Sequence, residues 1–343
     1  MPAKDQNEQW RVPVAYLRLF LKYAEESGLP AGRLFDGTGL DAERLAQNDR
    51  AVDFEKSRKV LSNATRALGR GWHLSLARQL TIPYHGPLGF AVVTAPNVRE
   101  AVGVLLRFVG TRSPFVWLAG FQERDEFVVR LYEPVDMGDA REPLIEIVLL
   151  SFQNMLERPL GREIRGAHIG LAYPRPAYAD QLASSFHADL SFDAAAHSLR
   201  FPAAWLDETC ILHDAAMHRY LLSRCEEDLR AAAGSIPAEL AVRQALLANP
   251  ERLPGLSEIA ADQHVSPRTL IRRLKRGGTS YKAIVEEVRR TLAADHLLHT
   301  DLRVASIAAR LGYRDPSNFG RAFRAWFGTS PGRYRARARR GGP

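Results

Sequence analysis

The chain has 343 residues, 46% of them hydrophobic and 25% charged, and its formal net charge is +8 at pH 7. This composition is ordinary for a globular protein and leaves room for two or three domains. No apolar run is long enough to span a membrane, and the amino terminus lacks the hydrophobic stretch of a signal peptide, so we expect a cytoplasmic protein without a membrane partner. The two cysteines, Cys210 and Cys225, have no metal-ligand neighbours and are expected to be reduced thiols.

The amino-terminal part mixes helical and extended patterns. Apolar residues recur at helical spacing through most of residues 12–70, and a further helix is predicted at about 98–109. Two β-rich runs follow Pro114 and are separated by the polar segment QERDE, which predicts a hairpin. A helix is predicted at about 142–156, and short strands are expected after it. Residues 1–210 are therefore predicted to form an α+β domain.

The carboxyl-terminal part carries a different charge. Residues 251–343 contain 19 Lys and Arg against 8 Asp and Glu, a balance of +11, whereas residues 1–250 contain 28 against 31, a balance of −3. Basicity confined to one domain is the electrostatic footprint of a nucleic-acid partner. Residues 211–250 predict a helical linker, in which the helix at 214–233 is a candidate for dimer contact. The last residues, 335–343, have no apolar stripe and predict a disordered basic tail.

One supersecondary unit occurs twice in this basic part. Residues 256–280 (LSEIAADQHVSPRTLIRRLKRGGTS) return as residues 304–330 (VASIAARLGYRDPSNFGRAFRAWFGTS), which is an internal repeat. Each copy predicts a helix, a tight turn and a second helix. The second helices are expected to begin after Ser266 and Asp315, because both are good N-caps and each is followed by a proline.

The two copies differ at the tight turn. Gly312 occupies the position in the second copy at which the first helix must stop, and such a position often needs a positive φ. His264 occupies the equivalent position in the first copy and adopts that conformation only at an energetic cost. Between the copies, apolar residues from Tyr281 to Leu298 predict a connecting helix that fixes the separation of the two units. Two helices that enter successive major grooves on one face of B-DNA lie about 34 Å apart.

The second helix of each copy has a cationic face opposite its apolar anchors. The candidate DNA-contacting residues are Arg268, Thr269, Ile271, Arg272, Arg273 and Lys275 in the first copy and Ser317, Asn318, Arg321 and Arg324 in the second. Arginine can form two hydrogen bonds with guanine and asparagine two with adenine, while other cations and hydroxyls contact phosphates. A solvated helix face is the alternative for either helix alone. The repetition of caps, anchors and arginines favours DNA binding over that alternative.

Residues 253–334 resemble the DNA-binding domain of the AraC/XylS family of bacterial transcription regulators. The resemblance rests on the strings LSEIAADQHVSPRTLIRRL, IAARLGYRDPSNFGRAFRAWFG and TSPGRYR. It implies an all-α domain at 251–334, with two helix-turn-helix units joined by a connecting helix, that binds two successive major-groove segments of double-stranded DNA. The residues that it places against bases are Arg268, Ile271 and Arg272 in the first groove and Ser317, Asn318 and Arg321 in the second. Ile271 stands where many relatives have a polar side chain, so it either contacts a thymine methyl group or packs inward.

The run HGPLGFAVVTAPNVREAV, with residues 14–210 around it, is similar to the arabinose-binding-type N-terminal domain of one branch of the same family. This similarity implies a domain that responds to a small-molecule effector and self-associates into a homodimer, with RNA polymerase as a further partner. The name of the domain gives no reason to expect a sugar. The candidate effector-binding residues are Tyr84, His85, Arg107, Phe115, Trp117 and Phe121, with Arg112 as an alternative to Arg107 for pairing a carboxylate. The alternative is that these aromatic residues belong to the core and the arginines to the surface.

Catalytic motifs are absent from the sequence. It contains no GxxxxGK[ST] phosphate loop, HExxH zinc pair, GxSxG nucleophile elbow or paired CxxC, so no enzyme activity, metal or cofactor is predicted. The sequence therefore predicts a site-specific transcription regulator whose N-terminal domain responds to an effector, and the family resemblance implies an activator rather than a repressor. A DNA-binding regulator without an effector, whose first domain serves only for assembly, is the alternative.

Overall fold

The chain divides into two compact units. The computed structural model describes residues 10–47, 51–133, 136–232, 238–248 and 252–339. Unit 1 comprises residues 1–117 and 130–237, and unit 2 comprises residues 118–129 and 238–343. The predicted linker at 211–250 is therefore shared between the two units and does not form a segment of its own.

Unit 1 combines helices with short strands. Its helices are α1 (Val14–Glu26), α2 (Ala31–Leu34), α3 (Ala42–Gln47), α4 (Phe54–Leu68), α5 (Trp72–Gln79), α6 (Gly86–Val93), α7 (Val98–Phe108), α8 (Arg141–Leu160), α9 (Ala179–Ser185) and α10 (Ala215–Ala232). Several of them begin at side-chain caps that the sequence supplies: Asp53 accepts a hydrogen bond from the backbone of Glu55 at 2.9 Å, and Asn97 accepts one from Glu100 at 2.9 Å. The helices predicted at 98–109 and 142–156 are present.

The strands form two sheets. They are β1 (Arg11–Pro13), β2 (Ala51–Asp53), β3 (Trp117–Glu123), β4 (Glu126–Tyr132), β5 (His168–Gly170), β6 (Asp189–Ser191) and β7 (His197–Pro202). Strands β1 and β2 pair antiparallel, and the other five form a sheet in the order β3-β4-β7-β5-β6. Strand β5 runs parallel to β6 and antiparallel to β7, so that Ile169 lies opposite Leu190 on one side and Leu199 on the other. The predicted α+β fold class is confirmed.

The core of unit 1 is built around α8. This 20-residue helix is buried on almost every face, as expected of a helix that is apolar all round, and α5, α6 and α7 pack against it. It also carries a carboxylate, Glu146, whose side chain is fully buried. Glu146 pairs with Nε2 of His73 and accepts hydrogen bonds from the hydroxyl groups of Tyr173 and Tyr178, the latter at 3.0 Å. Burial and the Glu146 carboxylate raise the pKa of both phenols, which keeps them protonated as donors.

Unit 2 contains both copies of the repeat. Its helices are α11 (Ala238–Ala248), α12 (Leu256–Asp262), α13 (Pro267–Arg276), α14 (Tyr281–His299), α15 (Val304–Arg310), α16 (Pro316–Phe327) and α17 (Pro331–Arg339). The predicted connecting helix is α14, and it packs against α11, α15, α16 and α17. One residue of its predicted apolar stripe is placed differently, because Leu298 is 41% exposed while Leu297 is buried. Leu298 lies six residues beyond the buried Leu292. In a helix with 3.6 residues per turn, this spacing places the two side chains about 120° apart around the axis.

The tip of the β3–β4 hairpin also belongs to unit 2. The ring of Phe121 packs edge-on against the imidazole of His296 in α14, with 5.4 Å between their centroids. Arg124, at the turn, forms an ion pair with Asp301. The hairpin itself was predicted from the sequence, but its packing against the connecting helix was not.

The predicted disordered tail at 335–343 is wrong for its first residues, because α17 continues to Arg339. Tyr334 anchors this helix by packing on Phe323 and Phe327, with ring centroids 5.3 and 5.1 Å apart. Arg335 donates a hydrogen bond from Nε to the carbonyl of Leu297 at 3.1 Å. The prediction rested on the lack of an apolar stripe in this segment, and such a pattern gives no information on these contacts. Residues 340–343 lie outside the described residues.

The two tight turns have the backbone conformation that the sequence predicts. His264 has φ of 53° and Gly312 has φ of 76°. In the second copy the glycine also makes room for Arg289, whose Nη2 would lie 3.1 Å from a Cβ atom at position 312. Arg289 uses this space to donate a hydrogen bond from Nε to the carbonyl of Leu311 at 2.8 Å. The first copy therefore holds a non-glycine residue in the left-handed region, whereas the second does not.

Substitution of His264 by glycine should stabilise unit 2. The change removes the left-handed strain of a side chain but adds backbone entropy to the unfolded chain, so we expect a net gain of about 0.5–1 kcal/mol in the free energy of unfolding. Gly312→Ala should act in the opposite direction and destabilise by more than about 1 kcal/mol, because alanine is strained at positive φ. Urea unfolding of the full chain measures both changes. A loss of stability in His264→Gly would show that the imidazole makes a favourable contact that outweighs its strain.

Candidate nucleic-acid interface and ligand cavity

The orientation of α13 is set by its cap and its buried residues. Ser266 accepts a hydrogen bond from the backbone of Thr269 at 3.1 Å, and its hydroxyl group lies 2.9 Å from the Thr269 hydroxyl group. Pro267 occupies the first helical turn, where its missing N–H is not needed. Leu270 and Leu274 are at most 1% exposed and hold one face of the helix against unit 2. The opposite face is therefore presented to solvent.

The exposed face of α13 carries most of the candidate residues of the first copy. Arg268, Arg272 and Lys275 are exposed and form no ion pair within the described ranges. Arg273 is half-buried at the edge of this face. Ile271 is 51% exposed, so it does not pack inward against the connecting helix.

The second copy repeats this arrangement with larger anchors. Asp315 accepts a hydrogen bond from the backbone of Ser317 at 2.8 Å and caps α16, again ahead of a proline. Phe319 and Phe323 are fully buried, and their rings lie 5.7 Å apart. Phe327 extends the cluster, with its ring 4.5 Å from that of Phe323.

The exposed face of α16 carries Ser317, Asn318, Arg321 and Arg324. Nη2 of Arg321 donates a hydrogen bond to Oδ1 of Asn318, so the two side chains that could contact bases orient each other. Nε of Arg324 donates to the carbonyl of Gly320 at 3.3 Å, which holds its guanidinium close to the helix. All ten candidate DNA-contacting residues thus lie on the two second helices, with eight of them exposed and Thr269 and Arg273 half-buried.

A cavity lies inside unit 1, between α1, α4, α6, α7 and α8. Most of its lining side chains are aliphatic or aromatic, among them Leu61, Leu105, Ile147 and Phe152. It leaves about 60 Å³ open to the centre of a water molecule, several times the roughly 10–15 Å³ that a single water needs. The cavity therefore has room for more than one water molecule, and most of its walls are apolar.

The polar residues of the cavity lining are Tyr16, Ser57, Arg58, His85, Arg112, Ser113 and Ser151. The hydroxyl group of Tyr16 forms a hydrogen bond with Nδ1 of His85, with 3.0 Å between the two atoms. Burial lowers the pKa of His85 to about 4, and the positive charge of Arg112 lowers it further. The backbone carbonyl of Leu80 acts in the opposite direction and raises this pKa. Burial raises the pKa of Tyr16 to about 12. At neutral pH the pair is therefore uncharged, and Arg112 is the charged group beside it.

Only some of the effector-binding candidates line this cavity. His85 and Phe115 do, and so does Arg112, the alternative to Arg107. Arg107 instead forms an ion pair with Glu226 at 2.6 Å and is half exposed. Phe121 belongs to unit 2, where it packs on His296. Tyr84 and Trp117 are half-buried outside the cavity lining.

Tyr16 is the cavity residue that the sequence reasoning missed. The run HGPLGF carries a signal for Arg112 and not for Tyr16, because a side chain at Gly86 would collide with the guanidinium of Arg112 and one at Gly89 would collide with the Ile82 carbonyl. The two glycines therefore bring His85 and Arg112 to the same end of the cavity. Nothing in the run points to Tyr16, which lies 69 residues away from His85 in the sequence.

The remaining reactive groups give no sign of catalysis or metal binding. Cys210 and Cys225 are buried free thiols, as predicted, and burial raises the pKa of each to about 11. Within the described part of the chain, no group of three or more His, Cys, Asp or Glu side chains could hold a metal ion. None of the helices in the same residues is both long enough and apolar enough to cross a membrane.

A repeated helix-turn-helix unit with exposed cations on both second helices defines a class of DNA-binding protein. Comparison with known proteins identifies the family. Residues 28–210, more than half of the chain, match the arabinose-binding domain found at the N-terminus of AraC transcription regulators, and residues 259–337 match a helix-turn-helix domain. The chain belongs to the AraC family of DNA-binding transcription regulators, in the branch with this N-terminal domain.

Individual relatives are regulators too. The chain is 29% identical to the ornithine utilization regulator of Pseudomonas aeruginosa over 329 residues, which cover 94% of this chain and 96% of that protein. It is 44% identical to the transcriptional activator NphR of a Rhodococcus species over 80 residues, 23% of this chain and 24% of that protein. The crystal structure of the regulator CdpR from Pseudomonas aeruginosa covers 94% of this chain and 98% of its own, with a TM-score of 0.45 and 22% identity. The ornithine utilization regulator and NphR are described as transcription regulators, which agrees with the prediction of a regulator and not an enzyme.

The lowered pKa of His85 should make the stability of unit 1 depend on pH. Between pH 6.5 and about 4 the unfolded chain binds a proton at this residue and the folded chain does not, so stability falls as the pH falls, by up to about 3 kcal/mol in total. His85→Gln keeps an acceptor for the Tyr16 hydroxyl group and removes the titration. We therefore expect the wild type to lose more stability than this variant over that interval in thermal or urea unfolding. Parallel pH profiles would contradict the assignment.

Proposed function

We propose that this regulator is a dimeric transcription activator that contacts bases through α13 and α16 and responds to a small molecule bound in unit 1. The observation that carries the DNA part is the exposure of Arg268, Arg272 and Arg321 opposite fully buried anchors in both copies. The activator role is supported by the similarity of its DNA-binding domain to a protein described as a transcriptional activator. Activation implies contact with RNA polymerase, and bacterial DNA as the target implies action in the cytoplasm.

Base contacts are assigned to the side chains that the anchors direct outward. Arg272 and Arg321 each present a guanidinium that can form two hydrogen bonds with a guanine, and Asn318 can form two with an adenine. Ile271 contributes an apolar contact to a thymine methyl group, since its side chain is half exposed and has no hydrogen-bonding group. Arg268 and Ser317 also face bases, as the family resemblance implies. The remaining candidates, Thr269, Arg273, Lys275 and Arg324, contact phosphates and fix the position of the two helices on the duplex.

The effector response is assigned to the cavity and its covalent connection to unit 2. Phe115 lines the cavity, and three residues later, at Leu118, the chain enters the hairpin segment that belongs to unit 2. Occupation of the cavity would restrict the backbone at Phe115 and so change the freedom of this segment. By linkage, an effector that changes the DNA affinity must itself bind more tightly or more weakly when DNA is bound.

Dimer formation is assigned to an apolar face formed by α10, α6 and the segment before α10. Seven large hydrophobic side chains are exposed in the described part of the chain, and five of them belong to this face: Phe90, Ile211, Leu212, Met217 and Tyr220. The face is held together by hydrogen bonds from His213 and His218 to the carbonyls of Thr94 and Ala91. Concentration of exposed apolar residues in one place is typical of a protein–protein interface.

Arg272→Ala and Arg321→Ala should each relax base preference at one position, in two different grooves. A lost bidentate contact with guanine lowers discrimination at that position by about 1–3 kcal/mol, roughly 5- to 150-fold, and leaves preference elsewhere unchanged. Selection of binding sites from a random DNA pool, followed by measured affinities for single-base variants, tests this. Ile271→Ala should weaken preference for thymine at a neighbouring position in the same assay.

Arg44→Ala provides the matched control for these arginine variants. It removes one exposed arginine of unit 1, which is paired with Asp41, and so changes the net charge equally without touching the interface. It should leave base preference unchanged. If Arg272→Ala and Arg321→Ala instead weaken binding to all sequences equally and reduce only the salt dependence, both arginines contact phosphates and the assignment of base contacts is wrong.

Met217→Glu with Tyr220→Glu should convert the dimer into a monomer, because two carboxylates would have to be buried in the apolar face. Analytical ultracentrifugation measures the change, which we expect to be at least a tenfold rise in the dimer dissociation constant. Leu298→Glu is the matched control, since Leu298 is also an exposed large apolar residue but lies in unit 2. Equal effects of the control and the double variant would remove the support for this interface.

A further inference from the structure

We propose that three residues of the connecting helix α14 set the orientation of α16 and thereby the base preference in the second major groove. The three are Glu286, Arg289 and Arg290, and together they are called the α14 clamp. They contact the turn before α16 and the last turn of α16. They are positioning residues, because they act on recognition through α16 and not by touching bases. The inference rests on the proposed function, since it concerns the side chains of α16 that are proposed to contact bases.

The clamp residues share one face of α14. Arg289 and Arg290 lie three and four residues after Glu286, and residues with this spacing are neighbours on a helix surface. Arg289 is half-buried, and the other two are exposed. Glu287 projects about 100° away from Glu286 around the axis and forms an ion pair with Arg243 of α11. The helix therefore contacts α11 and the second copy through different side chains.

Arg289 holds the turn at the start of α16. Its Nε donates a hydrogen bond to the carbonyl of Leu311, the C-cap residue of α15, at 2.8 Å. Its Cζ lies 4.9 Å from the centre of the Tyr313 ring, within the roughly 6 Å of a cation–π interaction. The Tyr313 ring packs in turn on Phe319, the buried anchor of α16, with 5.5 Å between centroids. Arg289 is thus connected to α16 through the backbone of the turn and through two aromatic rings.

Glu286 and Arg290 hold the other end of α16. Oε1 of Glu286 accepts a hydrogen bond from the indole Nε1 of Trp326 at 3.2 Å, and Cζ of Arg290 lies 5.3 Å from the centre of the Phe327 ring. Trp326 and Phe327 are the last two residues of this 12-residue helix, which is about 16 Å long. Contacts at both ends oppose rotation and tilt together, whereas contacts at one end would leave the tilt free. The clamp is therefore suited to fix the orientation of α16.

The orientation of α16 matters because base contacts tolerate little displacement. A rotation of the helix by about 15° moves an atom at the roughly 6 Å radius of its side chains by about 1.5 Å. A hydrogen bond to a base edge spans only about 2.7–3.2 Å and weakens steeply when its angle changes. Arg321 and Asn318, which are joined by a hydrogen bond, would move together and lose their alignment with the bases together.

The first copy lacks the aromatic partners of the clamp. Val265 stands where the second copy has Tyr313, since each follows the residue at positive φ in its turn. Residues 275–277, Lys-Arg-Gly, stand before a glycine where the second copy has Trp326 and Phe327 before its own. An aliphatic side chain offers no ring face to a cation. Loss of the clamp should therefore affect recognition in one groove only, which a general loss of stability in unit 2 would not do.

The test is selection of binding sites from a random DNA pool with the full chain. Arg289→Met keeps the apolar stem but removes the guanidinium. It should lower discrimination by about 3- to 10-fold at the positions that Arg321→Ala identifies, a part of the roughly 5- to 150-fold that a complete contact provides. Positions that Arg272→Ala identifies should keep their preference. Arg289→Lys retains a cation but not the planar fork, so its effect should be intermediate.

Two further variants complete the test. Trp326→Phe retains a ring but removes the hydrogen bond to Glu286, so it should shift preference at the same positions by a smaller factor. It keeps the test available if Arg289→Met lowers the stability of unit 2 too far for DNA binding to be measured. Lys282→Met is the matched control, because it removes the same charge from an exposed position of α14 outside the clamp. It should leave base preference unchanged in both grooves.

Urea unfolding of each variant separates positioning from stability. A lower unfolding midpoint in Arg289→Met and Trp326→Phe without any change in base preference would show that the clamp only stabilises the fold. Equal losses of preference in both grooves would overturn the proposal as well. These results contradict the clamp alone when Arg321→Ala still relaxes preference in the second groove. An unchanged preference in Arg321→Ala instead contradicts the proposed base contacts of α16, and the inference fails with them.

Discussion

The burial of four side chains determines which faces of α13 and α16 are exposed for contact with DNA. Leu270 and Leu274 in α13, and Phe319 and Phe323 in α16, are at most 1% exposed. Each contributes roughly 1.5–3 kcal/mol through removal of apolar surface from water, and a rotation of either helix by one residue, about 100°, would forfeit most of that contribution. The arginines are exposed because they occupy the remaining face. Their exposure, which would be unremarkable on a single helix, is therefore determined by buried anchors in both copies.

The two copies reach the same arrangement with unequal local stability. The second has glycine at its turn, Arg289 bonded to the end of α15, and a cluster of aromatic rings that includes Phe327 and Tyr334. The first has His264 at positive φ and two leucines as anchors. Its surface, however, carries the denser set of cations. We infer that the first copy depends more on DNA charge for its binding, whereas the second is the better-packed unit.

Most of the helices and turns of the DNA-binding unit could be predicted from the sequence, because the residues that specify them are close together in the chain. Caps, prolines, turn residues and anchors lie within a few positions of each other, and the repeat doubles the signal. The ligand cavity was predicted only in part, since its walls come from Tyr16, His85, Arg112 and α8, which only the tertiary fold brings together. Arg107 and Arg112 could not be ranked from the sequence: helix register turns the first outward to Glu226, and the missing side chain of Gly86 makes room for the second. The helix at the start of the tail was not predicted for a related reason, because Tyr334 and Arg335 are held by partners that lie elsewhere in the sequence.

The hairpin segment 118–129 begins three residues after the cavity residue Phe115, and its contacts through Arg124 and Phe121 differ in strength. The side chains of Arg124 and Asp301 are 76% and 54% exposed, and an ion pair so accessible to water contributes less than about 1 kcal/mol and weakens with salt. Phe121, by contrast, is 1% exposed against His296, so its contact combines apolar burial with a favourable ring geometry. The aromatic contact is therefore the stronger attachment of the hairpin to the connecting helix. Through Phe121 the hairpin is attached to α14, and α14 is the helix against which α15, α16 and α17 pack.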